Sequence, residues 1–167
     1  MPAGVSAITP LANITLGSTA STVTFSSISG SYRDLYLVVV AKTSAAGWQT
    51  RMRLNGDTGS NYNTVYIANS GNSPFNSTSA ATAQMEFGAL GIASTTVDLI
   101  WKTSVFDYSV TDKQKNVQSI IGNTGSDMVE SSMHRYASTS AITSLVVYPG
   151  SGTWSVGSNF ALYGVSS

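Results

Sequence analysis

The sequence predicts an all-β chain folded as a double-sheet, jelly-roll-like sandwich of about ten strands. Three observations carry this expectation. No window repeats apolar residues at intervals of three and four over several turns, so no helix is read. Short alternating runs recur instead, parted by Gly, Asn, Ser and Pro clusters at the 8–12-residue spacing of sandwiches and barrels. One run, Asp34–Lys42, is apolar on both faces: Leu35, Leu37, Val39 and Ala41 on one, Tyr36, Val38 and Val40 on the other. A strand of that kind lies inside a sheet rather than at its edge. An up-and-down β-barrel is the alternative architecture.

The elements follow in order. Ala12–Leu16 is the first strand, and Thr22–Phe25 the second, with Val23 and Phe25 on one face. After the loop Ser26–Ser31 comes the central strand. Ser44–Gly47 turns the chain into Trp48–Leu54, where Trp48, Thr50, Met52 and Leu54 alternate with Gln49, Arg51 and Arg53. This strand is expected to form a hairpin with the central one. Asn55–Asn61 contains Asn-Gly and reads as a turn. Asn63–Ala68 is a short strand with Val65 and Ile67 expected inward. Ser70–Thr82 has a loop's composition around one apolar anchor, Phe75. Ala83–Leu90 follows, with Met85 and Phe87 sharing a face. Thr96–Tyr108 sets Val97, Leu99 and Trp101 against Asp98, Ile100 and Lys102. Lys115–Gly122, Val129–Ala137, Ala141–Tyr148 and Asn159–Val165 complete the set.

The 167 residues suit one domain, 1–167, with residues 1–10 as an N-terminal arm. Formal net charge is zero and the sequence pI about 6.5, which gives no electrostatic search for nucleic acid or an anionic membrane. Charged residues make up 10% of the chain, against roughly 25% in an ordinary domain. Hydroxyls replace them: 28 Ser and 19 Thr, 47 of the 167 residues. A neutral, hydroxyl-solvated surface is weakly repelled by its neighbours and suits high local density. The absence of Cys excludes disulfides, thiolate catalysis and zinc–thiolate sites. Met1–Ser6 has no basic region followed by an apolar core, so no secretory leader is expected.

Little in the residues declares chemistry. His134 is the single histidine. Without Cys or a second His it lacks partners for a metal site, and it is read as a surface or interface residue. Asp57 with Asn55, Asn61 and Asn63 offers oxygens, but calcium loops carry more carboxylates at tighter spacing. Glu86, Asp98, Asp107 and Asp112 have no context marking a catalytic pair. Arg51 and Arg53 share one strand face and Lys102 lies outward on another, a small basic patch for an acidic partner or a solvated face. No enzyme, cofactor or metal ligand is read from this chain.

The ending is more specific. Gly157-Ser-Asn-Phe-Ala-Leu-Tyr-Gly164 follows Ala141–Tyr148 and a Gly-Ser-Gly turn. It resembles the G-S-x-F-x-L-Y-G ending of small β-sandwich virion proteins of tailed bacteriophages. Val23-Thr-Phe25, Tyr32-Arg-Asp-Leu-Tyr-Leu37, Leu54-Asn-Gly-Asp57 and Asn61-Tyr62 resemble the same group, so the similarity covers most of the chain. These motifs are structural, not catalytic. The resemblance implies a virion structural protein made in the host cytoplasm. Its role would be a capsid decoration (cement) protein on the capsid surface, bound to the major capsid protein as a homotrimer, without nucleic acid or membrane. The rival is a tail fibre or spike module binding a host receptor or glycan, for which Tyr62, Phe75 and Trp154 are candidate exposed aromatics. The expected interface comprises Met1, Pro2 and Pro10 of the arm, Phe75, Arg51 and Arg53, and the second face of the central strand. There Tyr36, Val38 and Val40 are expected to lie under a neighbouring subunit or a long loop, because a two-sheet sandwich has no second core for them.

Overall fold

The structure, a computed structural model, describes residues 7–46, 49–70, 73–88, 94–125 and 128–166. Twelve strands occupy these residues: β1 (Ile8–Thr15), β2 (Val23–Phe25), β3 (Asp34–Ala41), β4 (Thr50–Leu54), β5 (Tyr62–Ser70), β6 (Ser73–Thr82), β7 (Met85–Phe87), β8 (Leu99–Val105), β9 (Lys115–Asn123), β10 (Met128–Tyr136), β11 (Leu145–Pro149) and β12 (Asn159–Val165). Among the described residues there is no helix. Two antiparallel sheets form a jelly-roll-like sandwich. One has eight strands, β1-β12-β3-β8-β9-β10-β5-β6; the other has four, β2-β11-β4-β7. The chain crosses between the sheets repeatedly, so an up-and-down barrel is excluded.

The core lies between the sheets. From the large sheet, Leu35, Leu37, Val39, Leu99, Trp101, Val117 and Phe160 point inward; from the small one, Val23, Phe25, Met52, Leu54, Phe87 and Val147 meet them. Alternation along each strand fixes which residues these are, since a one-residue slip would turn the apolar set to solvent. Trp154 closes one end. It bridges both Ala20 and Thr43, is fully buried, and packs edge-on against Phe160 at 5.3 Å.

Four expectations about elements need correction. β3 is central, between β12 and β8, but β4 is not its hairpin partner: it lies in the opposing sheet between β11 and β7. Both strands carry a buried apolar face, and stacking those faces buries more than pairing edges would. Trp48 lies outside the described residues. The supposed loop at Ser70–Thr82 contains β6, which pairs with β5 from Ser70↔Ser73 to Tyr62↔Thr82. Backbone hydrogen bonds specify that strand; its uncharged Ser, Thr, Asn and Ala side chains give no alternation to read. In β5, Val65 and Ile67 point outward, while Tyr62, Thr64 and Ala68 are buried. Last, β1 starts at Ile8, so three residues of the expected arm are strand, paired with β12 from Ile8↔Val165.

Candidate docking surface

The outer face of the eight-stranded sheet is built from the other half of each alternation. Register aligns its side chains in rows across β3, β8, β9, β10 and β5. The first row runs Val40, Ile100, Gly122, Val129, Asn69. The second runs Val38, Lys102, Ile120, Ser131, Ile67, and the third Tyr36, Ser104, Gln118, Met133, Val65. Nine large apolar residues are exposed among the described residues, and seven of them stand in these rows: Val40, Val65, Ile67, Ile100, Ile120, Val129 and Met133, at 39–65% exposure. Five strands spaced about 4.8 Å apart make this field about 19 Å wide. Between Ile100, Lys102, Ile120 and Val129 it dips into a shallow hollow of about 450 Å³. Single exposed apolar side chains are ordinary, but a contiguous field of them marks an interaction surface.

Of the residues expected at an interface, Tyr36, Val38 and Val40 lie on this face. Tyr36 packs beside Tyr163 of β12, ring centroids 6.4 Å apart. No loop of the described chain covers Val40. Pro10 is exposed on the edge strand β1, where it and the adjacent bulge interrupt pairing. Phe75 is half-buried on β6, edge-on to Tyr66 at 6.1 Å. Met1 and Pro2 lie outside the described residues. The six residues Val65, Ile67, Ile100, Ile120, Val129 and Met133 were missed by sequence reasoning as parts of an interface. Their signal was present: each occupies the phase opposite to buried neighbours on its own strand, as Val40 does on β3.

Arg51 and Arg53 are on the opposite side of the molecule, the outer face of the small sheet, and are engaged there. Arg53 Nε donates to the Ala83 carbonyl at 3.0 Å, its guanidinium donates to Gln84 Oε1 at 3.2 Å, and it stacks over Tyr148 at 5.1 Å. Arg51 Nε stands 3.5 Å from Glu86 Oε1, an ion pair without a hydrogen bond. The two arginines therefore do not join the apolar field or offer free charges.

His134 is buried, contrary to the surface reading. Thr64 Oγ1 lies 2.8 Å from Nδ1, Ser132 Oγ 3.0 Å from Nε2, and the Phe87 ring 4.3 Å from the imidazole. Burial pulls its pKa from 6.5 down to about 3, so the ring is neutral at neutral pH. Asp57 serves the loop after β4. Oδ1 accepts from the Gly59 amide at 2.7 Å, and Oδ2 accepts from Asn61 Nδ2 at 2.9 Å and Tyr136 Oη at 2.8 Å. The Gly59 amide, then Asn61, holds this carboxyl below its ordinary 3.8. Among the described residues no three His, Asp or Glu lie close enough to hold a metal ion. Tyr62 and Trp154, named as exposed aromatics for a glycan, are both fully buried; the Tyr62 hydroxyl donates to the carbonyls of Leu54 and Asp57 at 3.3 and 3.2 Å.

No protein-family model matches the chain, and no curated protein matches it. Solved structures similar to it include galectin LEC-6 of Caenorhabditis elegans, at 11% identity over 93% of this chain and 96% of that one, with a TM-score of 0.37. An alginate lyase, Aly36B in a mutant form complexed with alginate tetrasaccharide, is 10% identical over 92% of this chain and 80% of that one, TM-score 0.32. A protein of unknown function from Shewanella oneidensis MR-1 is 12% identical over 96% and 77%, TM-score 0.24. Similarity this low transfers no site or ligand to this chain.

Proposed function

We propose that this chain is a structural protein of a tailed-bacteriophage virion. In this reading it is a capsid decoration (cement) protein that docks on the major capsid protein at the capsid surface and performs no reaction. The single observation that carries the reading is the apolar outer face of the eight-stranded sheet. Seven exposed aliphatic or thioether side chains in register are costly to leave in water. Covering each remaining exposed half is worth about 1 kcal/mol of gross stabilisation. A cement protein needs such a face, because its work is to hold neighbouring capsomers together by burial alone. The resemblance of the Gly157–Gly164 ending and the neutral, hydroxyl-rich remainder of the surface support the same reading. A homotrimer would multiply a modest single contact into tight attachment, since the second and third contacts form at high effective concentration.

Titration onto purified shells lacking the protein tests this. Saturable attachment at hundreds of copies per particle, with a raised shell melting temperature, is expected. A dozen or so copies per virion, or no change in shell stability, would contradict it. The tail-module reading loses two of its three named aromatics to the core, and no other observation favours it.

A further inference from the structure

We infer that the β6 edge of the eight-stranded sheet pairs antiparallel with the β6 edge of a second copy of this chain, across a two-fold axis at Ser77. The inference does not depend on the docking role proposed above.

A sheet edge presents unpaired backbone N–H and C=O groups, and folds blunt such edges with short strands, proline or bulges. The two outermost strands of each sheet make four edges here. β2 and β7 are three residues each. β1 is interrupted by Pro10 and the bulge beside it. β6 is ten residues long and carries no charged side chain. Its two blunting devices stand near its ends. Pro74 is its second residue, and Ala81, at φ 54°, sits in the register shift between Ser79 and Thr82. From Phe75 to Ser79 the pairing with β5 is unbroken.

Pro74 also fixes which groups face out. It has no N–H, so its pair with Asn69 is not a hydrogen-bonded one, and the alternation of an antiparallel ladder runs from there. Phe75, Ser77 and Ser79 turn their backbone groups to β5; Asn76 and Thr78 turn theirs away. The Tyr62 carbonyl, which accepts from Thr82 Oγ1 at 3.1 Å, shows the matching phase on β5. Asn76 and Thr78 are exposed, and among the described residues no backbone hydrogen bond reaches them from beyond the sheet.

The register with its two-fold at Ser77 suits both copies. Asn76 then meets Thr78 of the second copy, and the two exchange both backbone bonds. Pro74, which has no donor, falls opposite Ala80, beside the bulge, so the breaks in the two strands coincide instead of interrupting the paired stretch. A foreign strand would be selected by pockets or charges along the edge, and the exposed Asn76, Ser77, Thr78 and Ala80 offer neither. Between identical neutral strands no like-charge contact opposes pairing. The axis stands perpendicular to the sheet, so the apolar outer faces of both copies lie on the same side. A two-fold contact closes at two copies, and any three-fold assembly has to use another surface.

Equilibrium sedimentation of the isolated chain tests this, with wild type beside Thr78→Pro and Thr78→Lys, together with amide hydrogen exchange at Asn76 and Thr78. Thr78→Pro removes an outward donor and leaves the β5 ladder intact, while Thr78→Lys sets like charges on either side of the axis. Expected are twice the chain mass for wild type and the single-chain mass for both variants, with an unchanged far-ultraviolet spectrum. Exchange at the two amides should slow about tenfold or more as the pair forms. Wild type at single-chain mass up to its highest soluble concentration overturns the inference. A pair that survives both variants, or amides that exchange as fast in the pair as in the single chain, overturns it as well. Should Thr78→Pro fail to fold, Thr78→Lys and the exchange rates decide. None of these outcomes bears on attachment to shells, which the titration above measures separately.

Discussion

The ring of Tyr32 lies against the α-carbon of Gly164. A Cβ on Gly164 would stand 2.5 Å from Cδ2 and 2.7 Å from Cδ1 of that ring. Two segments far apart in sequence, Tyr32–Leu37 and Gly157–Gly164, are therefore one packed unit: β12 pairs with β3, and the last glycine of the ending makes room for the tyrosine that precedes β3. Gly164→Ala is expected to displace the ring and lower stability by about 1–3 kcal/mol. Urea unfolding measures it, and adding Tyr32→Ala should cost less than the sum of the two single changes, because both act on one contact.

Asn55 and Gly56 both take positive φ, 54° and 65°, to turn the chain out of β4. Asn55 also ties that turn to the segment before β11. Oδ1 accepts from the amides of Thr143 at 2.8 Å and Ser144 at 3.2 Å, and Nδ2 donates to the Ala141 carbonyl at 2.9 Å. Asn55→Ala loses these bonds and places a Cβ residue without local hydrogen bonding in the left-handed region, at an expected cost of about 2 kcal/mol. A lowered urea midpoint with an unchanged slope is the check.

The buried imidazole of His134 makes stability depend on pH. Its folded pKa, about 3, is below the ordinary 6.5, so the unfolded chain binds the extra proton first. The His134 contribution is fully present above pH 6.5. It is lost as pH falls towards about 3, at about 1.4 kcal/mol per pH unit within that window. Unfolding midpoints at pH 7, 6, 5 and 4 should show this slope in wild type, and His134→Gln should flatten it.

The legible parts of the fold were the strands whose alternation is strong. β3, β7, β8 and β12 follow from Leu35/Leu37/Val39, Met85/Phe87, Leu99/Trp101 and Phe160/Leu162, each a buried apolar series on one phase. β5 was misread because its apolar residues face out. Inside, Tyr62 and Thr64 satisfy their hydroxyls on Leu54 and His134 and so replace the aliphatics that polarity arguments expect. β6 carries no pattern because its partner, not its side chains, holds it. The candidate face was half legible. Tyr36, Val38 and Val40 pointed to it, but only the register of β8, β9, β10 and β5 brings Ile100, Ile120, Val129, Met133, Ile67 and Val65 alongside.

Those residues contribute little to the fold of the single chain, since their outer atoms meet water. Ile67→Ser together with Val129→Ser is expected to change the unfolding free energy by no more than about 0.5 kcal/mol per site. Thermal melting of the isolated variant should stay close to that of wild type, with an unchanged far-ultraviolet spectrum.

The most direct test of the central claim compares that double variant with wild type for attachment to purified shells lacking the protein. The account predicts that wild type attaches and raises the melting temperature of the shell, while the double variant, folded and equally stable, does neither. Attachment of the double variant at wild-type strength would contradict the assignment of this sheet face as the docking surface.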